Sequence, residues 1–329
     1  MNPLLRWTPA SLATLILASG CGDGDSLLAP GPDLVPTSAP LDRPASAARL
    51  IPDHLTGATA AADERLPLVP GRVVYTGFGS NGSLEIFIAD LDGSNVTNLT
   101  NDPGRDWHPS VSPDGMWIAF ESNRDGNDEI YVMGIDGEKP TNVTNDPAYD
   151  GNPAWSADGA KIVFDSRRVG HNVFTMNADG TNVFQVTSQS GNTSRGSWSP
   201  DGTRIVYESG TGVDDVWIIN ADGTGAVNLT NSPGIVDDDP EWSPDGSRIL
   251  FSSNRDGFGR DAWTMAPDGS QAVSVTDTND PIGVEPAWSP DGSSIIYTAS
   301  GRLVLLSATG AGSRRLEIFG SSPDWVPEL

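Results

Sequence analysis

A unit of about 44 residues recurs along most of this chain, and that recurrence limits its fold more than any other feature. The unit is plainest at Pro240-Glu241-Trp242-Ser243-Pro244-Asp245-Gly246. It returns at Pro109–Gly115, with Val111 replacing the tryptophan, and at Pro153–Gly159, Gly196–Gly202 and Pro286–Gly292. The steps from Val111 through Trp155, Trp198, Trp242 and Trp288 are 44, 43, 44 and 46 residues. After each motif comes a β-branched and aromatic run such as Ile118-Ala119-Phe120 or Ile205-Val206-Tyr207. A polar turn follows, then a third run such as Glu129-Ile130-Tyr131-Val132-Met133, then Asp-Gly. Asp-Gly between apolar runs marks a hairpin, because glycine accepts φ > 0 without steric cost. A fourth strand closes each unit and ends in Thr100, Thr144, Thr187, Thr230 or Thr276. Four short strands per period, here strands A to D, are the pattern of a β-propeller blade.

The two ends of the repeating region settle the blade count. Gly71–Thr100 supplies strands B, C and D with no strand A ahead of them. Pro323-Asp324-Trp325-Val326-Pro327-Glu328 reads as the missing strand A. Joining them completes a sixth blade and removes the sheet edges that would template aggregation. The expected fold is therefore all-β: a six-bladed propeller of four-stranded antiparallel blades over 71–329, closed by the C-terminal strand. The repeats P-x-W-S-P-D-G, I-x-F/Y and Y-V-M followed by D-G resemble the TolB-like propeller family, built from WD-like repeats, along the whole of 71–329. The same repeat also resembles tricorn-like and prolyl-oligopeptidase-like propellers. The TolB resemblance implies a binding module of the bacterial cell envelope. It also implies a partner such as a peptidoglycan-associated lipoprotein-like domain. That family carries a folded α/β domain ahead of its propeller, whereas this chain has a Pro-rich segment there.

Residues 1–20 are weakly basic and then apolar from Leu12 to Ala18, too short a run to span a bilayer. Leu17-Ala18-Ser19-Gly20-Cys21 resembles a bacterial lipobox, which implies signal cleavage before Cys21 and lipidation of its thiol. Gly22 rather than Asp follows, and the resemblance then favours the outer membrane. Residues 21–70, with Pro at 30, 32, 36, 40, 44 and 52, read as a flexible tether, with Ala48–Ile51 a short piece that could pack on the domain.

Charge narrows the partners. Forty-four acidic against 19 basic side chains leave a formal net charge of −25. So few cations exclude a nucleic-acid partner, and an anionic lipid surface would repel the chain. Membrane contact is expected through the lipid anchor only, with the protein otherwise a monomer facing the periplasm or the cell surface. One Cys makes neither an internal disulfide nor a thiolate zinc cluster.

Strand direction alternates, so D–A and B–C loops share one face of the ring. The opposite face repeats Ser-Pro-Asp-Gly and Asp-Gly, where Asp side chains are expected to hold Asx turns. The motif tryptophans are expected to pack between blades rather than stack on a ligand. The D–A loops differ from blade to blade, and loops on a rigid scaffold are where binding concentrates. Asp106, His108, Asp150, Asn152, Arg195, Asp237, Asp238, Asp239 and Glu285 are the expected partner-binding residues at the channel mouth. Asp106, Asp150 and Asp237 recur three residues before the motif and suit turn caps equally well.

No cofactor is expected. Ca²⁺ wants six to eight oxygens, and Asp237-Asp238-Asp239, with Asp125 and Asp128 as further acids, is the densest supply. His108 and His171 fall on one face and would suit a metal or acid–base pair only if brought together. With no G-x-S-x-G elbow and no room for a hydrolase domain, the chain reads as a non-enzyme. The alternative is a carbohydrate- or peptide-binding or -degrading propeller with a metal in its channel.

Overall fold

The computed structural model describes residues 66–67 and 70–328, apart from 190, 258 and 277–284. The signal segment, Cys21 and the tether as far as residue 65 lie outside the described residues, as does most of the D–A loop between the fifth and sixth blades.

Among the described residues twenty-four strands form six four-stranded sheets. The first blade holds β1 (Arg72–Phe78), β2 (Leu84–Asp90) and β3 (Thr97–Asn98). The second holds β4 (Asp106–Val111), β5 (Trp117–Ser122), β6 (Glu129–Gly134) and β7 (Thr141–Asn142). The third holds β8 (Asp150–Trp155), β9 (Lys161–Ser166), β10 (Asn172–Asn177) and β11 (Phe184–Gln185). The fourth is β12 (Asn192–Trp198), β13 (Arg204–Gly210), β14 (Asp214–Asn220) and β15 (Val227–Asn228). The fifth is β16 (Asp237–Trp242), β17 (Ile249–Ser253), β18 (Asp261–Met265) and β19 (Val273–Ser274). The sixth is β20 (Ala287–Trp288), β21 (Ser294–Ala299), β22 (Arg302–Ser307) and β23 (Ser313–Phe319). Finally β24 (Ser321–Val326) pairs antiparallel with β1, from Arg72 opposite Val326 to Thr76 opposite Ser321. The ring is closed as the split repeat requires.

The core lies between blades. Trp198 packs with Val163, Val173 and Ile205, and Trp242 with Val206, Ile249 and Phe251. The tryptophans are thus inter-blade packing. The Asp-Gly turns work as read: Asp92, Asp136, Asp179, Asp222 and Asp268 each accept from the backbone N–H two residues on. Asp114 and its equivalents in the Ser-Pro-Asp-Gly turns do the same. Gly137 shows why the second residue must be glycine, for φ is 84° and a Cβ would sit 2.7 Å from the Leu99 carbonyl of the preceding blade.

One expectation needs correction. The fourth strand does not run to its threonine, since five of the six outermost strands are two-residue pairs. The threonine turns inward instead. Thr100, Thr144, Thr187, Thr230 and Thr276 each accept the N–H of the second or third strand-C residue through Oγ1. In four of the blades the same hydroxyl bonds the acid just ahead of that residue: Glu85, Glu129, Asp215 or Asp261. Ahead of β1, Leu66 packs against the cluster holding Leu316 and Trp325, and its carbonyl accepts from Arg314 Nη1 at 3.1 Å.

Candidate functional site

Five of the six innermost strands carry one residue more than their partner directly before the motif proline or glycine. The registers jump between Trp107 and Ser110, Gly151 and Ala154, Ser194 and Ser197, and Asp238 and Glu241. The same jump occurs where β24 meets β1. The extra residue adopts a left-handed φ in all five, His108 49°, Asn152 50°, Arg195 54°, Asp239 51° and Ser322 49°, and Glu285, just ahead of β20 in the sixth blade, shares it at 71°. A β-bulge of this kind re-aims a side chain, and non-glycine residues at φ > 0 are costly enough to be confined to over-determined sites. Here the six residues lie in the wall of the central channel, at its D–A end.

The ring is wired from blade to blade. The fifth residue of strand B holds the backbone N–H of the next bulge: Glu121 accepts from Asn152, Asp165 from Arg195, and Glu208 from Asp239. In the fifth blade the equivalent residue is Ser252, and Asp239 itself accepts the N–H of Glu285. Side chains then bridge the mouth. Arg195 Nη1 lies 2.7 Å from Asp239 Oδ1 and 2.6 Å from Glu285 Oε1, and His108 Nε2 lies 3.1 Å from the same Glu285 oxygen. His108 Nδ1 reaches Glu121 Oε2 at 3.3 Å, and the Tyr149 hydroxyl donates to that oxygen at 3.2 Å. Tyr149 folds back only because residue 151 is glycine, where a Cβ would overlap its hydroxyl and Glu121. Burial lowers the His108 pKa, but Glu285 and Glu121 outweigh it and hold the imidazole at about 9. Burial would raise the Glu285 carboxyl, yet the charges of Arg195 and His108 bring it below its ordinary value. Asp165 is pushed well above the carboxylate range, mainly by burial.

Five of the nine expected residues therefore meet in one ring: His108, Asn152, Arg195, Asp239 and Glu285. The other four do not belong to it. Asp106, Asp150 and Asp237 are buried within their own blades, paired with Arg124, Arg168 and Arg255 at 2.9, 2.5 and 2.8 Å. Each of those guanidiniums also covers an aromatic ring, Phe120, Phe164 or Phe251. Asp238 turns to Arg260 at 2.6 Å. Asp237, Asp238 and Asp239 thus point to three different arginines, so the densest acid run does not form one cage. Asp125 accepts from Tyr131 and Asp128 pairs with Arg105. His171 meets Tyr149 edge-on, with ring centroids 6.1 Å apart, while His108 binds glutamates. Among the described residues no group of three or more His, Cys, Asp or Glu is arranged to hold a metal ion.

Sequence reasoning missed the strand-B acids Glu121, Asp165 and Glu208, and the rim aromatics Trp107 and Tyr149. Trp107 stacks on His108 at 4.4 Å, with the Arg105 guanidinium 4.0 Å from its ring, and Arg167 lies 4.7 Å from the Tyr149 ring. An acid at the fifth position of an otherwise apolar strand, aligned across repeats, is the signal that would have found the first three.

The closed ring with one repetitive face and one varied mouth defines a six-bladed propeller scaffold. A family model described as the TolB beta propeller domain matches residues 70–212 and 190–322, and the chain belongs to that family. A protein described as Protein TolB homolog, from Chlorobaculum tepidum, is 36% identical over 72 residues, which is 22% of this chain and 15% of that relative. The crystal structure of TolB from Acinetobacter baumannii superposes with a TM-score of 0.67 at 21% identity, covering 78% of this chain and 67% of that one. A putative TolB from Agrobacterium tumefaciens gives 0.64 at 20% identity, covering 79% of this chain and all of that one. At such identity the two structures speak for the fold alone.

Proposed function

We propose that the chain is an exported, lipid-anchored module of the bacterial envelope that binds another protein through its D–A/B–C face and performs no catalysis. One observation carries this reading: the six equivalent positions directly before the motif proline or glycine hold six different residues, His, Asn, Arg, Asp, Glu and Ser, all at positive φ. A ring needed only for folding would be served by one residue type repeated, as the opposite face is. Strain kept at chemically distinct positions is characteristic of recognition. Large apolar side chains around the same face support the reading, with Phe78 78%, Val169 65% and Phe319 60% exposed. The expected partner resembles the peptidoglycan-associated lipoprotein-like domain that the TolB resemblance implies. Anchoring through Cys21 rests on the lipobox.

Photo-crosslinking in native envelopes tests this. A crosslinking amino acid at Val169 or Val213 should capture an envelope protein, and one at Met116 or Val227, outside that face, should not. The Cys21→Ser protein should leave the membrane fraction. Adducts only from Met116 or Val227 would place the interface elsewhere, and membrane retention of the Cys21→Ser chain would remove the anchor.

A further inference from the structure

The B–C turn of the third blade breaks a pattern that its equivalents keep. In the second and fifth blades this turn reads Ser122-Asn123-Arg124-Asp125-Gly126 and Ser253-Asn254-Arg255-Asp256-Gly257. In the third it reads Ser166-Arg167-Arg168-Val169-Gly170. The middle arginine is common to all three and structural, since Arg124, Arg168 and Arg255 each pair with the buried aspartate that opens strand A of their own blade. The asparagine is structural as well. Asn123 Oδ1 accepts the Arg105 N–H at 2.8 Å, and Asn254 Oδ1 accepts the Val236 N–H at 2.9 Å, so each holds the residue just ahead of strand A. Arg167 keeps only the backbone half of that clasp, its N–H donating to the Tyr149 carbonyl at 3.0 Å. A guanidinium has no acceptor with which to make the other half. The third blade thus lacks a hydrogen bond that its equivalents retain.

The two exchanged residues are held in place at the surface. The Arg167 side chain is exposed and lies over the Tyr149 ring, 4.7 Å from its centroid, while the Tyr149 hydroxyl donates to Glu121. Val169 is 65% exposed, and its carbonyl accepts from the side chain of buried Asn172, which pins the tip of the turn. Charge singles out Arg167 further. The other arginines of this face each meet a carboxylate within 3.2 Å. Among the described residues no carboxylate pairs with Arg167. An uncompensated cation beside an apolar tip is nothing that folding of this turn requires, because the second and fifth blades form it without either.

We infer that this turn anchors the protein partner, through a carboxylate seated on Arg167 and an apolar side chain packed on Val169. The docking segment of the partner therefore carries acidic and apolar residues side by side. A guanidinium presents its N–H groups in a fork that matches a carboxylate, and stacking on a ring fixes that fork in advance. Arginine supported by an aromatic ring is also the composition of an interface hot spot. The inference rests on the protein-binding reading and adds to it the chemistry of the segment that docks.

Fluorescence anisotropy with a labelled Glu-Leu-Glu-Leu-Glu peptide, beside its Gln-Leu-Gln-Leu-Gln twin, tests the charge. The acidic peptide should bind at least about tenfold more tightly than its twin, and Arg167→Asn should erase the difference. Arg167→Asn also restores the asparagine of the second and fifth blades, so its melting temperature should not fall. Val169→Asp should weaken the acidic peptide by about tenfold as well, through like-charge repulsion. Binding of neither peptide, equal binding of both, or undiminished binding by Arg167→Asn would overturn the anchor. Vesicles of phosphatidylglycerol and phosphatidylcholine in equal parts are the second probe. Sedimentation with them that Arg167→Asn abolishes would assign the anion to a lipid and overturn the anchor too. The crosslinker at Val213, in the next blade, separates this inference from the reading beneath it. Envelope adducts that persist unchanged in Arg167→Asn would leave protein binding in place and remove the anchor. Adducts reduced about tenfold would support both. No adduct from Val169 or Val213 in the otherwise native chain would remove both.

Discussion

His108 joins two blades that are not neighbours, since its imidazole bonds Glu121 in its own blade and Glu285 in the sixth. Its pKa of about 9 exceeds the roughly 6.5 of an unfolded chain. A raised pKa contributes stability that is whole below about pH 6.5 and is lost as pH climbs through about 9. The difference, 9 less 6.5, corresponds to on the order of 3 kcal/mol at full deprotonation. Urea unfolding of the native chain should show this decline between pH 6.5 and 9, and His108→Asn should flatten it. Parallel curves for the two proteins would contradict the assigned charge. Sequence reading chose the ring residues by loop position and so gathered four extra acids. Asp106 and His108 are two apart, and in an unbroken strand they would face the same way. The bulge at His108 separates them, sending one side chain to Arg124 and the other into the channel. No pattern of residue types announces an extra residue at φ > 0. The absence of recurrence just ahead of the motif proline was the legible part.

At the level of strands, the repeat disclosed all four runs of each blade and their hairpin turns, because Gly and Asp-Gly carry backbone requirements that sequence states openly. The extent of strand D was not legible. Leu-Thr continues a β-branched run, yet the threonine hydroxyl competes for the backbone and ends the strand, as side chains of this type do. Thr187 is the most enclosed example, bonding Val173 N–H, Asn172 and Thr193. Thr187→Val keeps the shape but strands those groups in a buried site. We expect a loss of roughly 1–3 kcal/mol in urea unfolding. A change below a few tenths would mean the threonine is a spacer rather than a clasp. The acids at the start of strand C that these threonines bond belong to the same device. Much of the −25 net charge is therefore structural, held by Asx turns, strand starts and in-blade arginines.

Across the whole molecule, closure was readable because the first and last repeats are complementary fragments. Sheet one depends on it: β24 supplies the innermost strand, and Asp324 holds the Val111 N–H of the next blade. Ending the chain at Gly320 should expose β1 as an unpaired edge and yield aggregates rather than a slightly weaker monomer. Size-exclusion chromatography would show this, and a monomeric, cooperatively melting product would contradict it. The clasp also has a mechanical consequence. Because β1 lies between β24 and β2, a pull on the chain at Gly71 along the strand axis meets ladders on both flanks at once. Their hydrogen bonds run perpendicular to the strands and are loaded together in shear rather than opened one by one. The point where the propeller chain begins is thus suited to bear tension, and a tug from that end is resisted by the same strand that completes the ring.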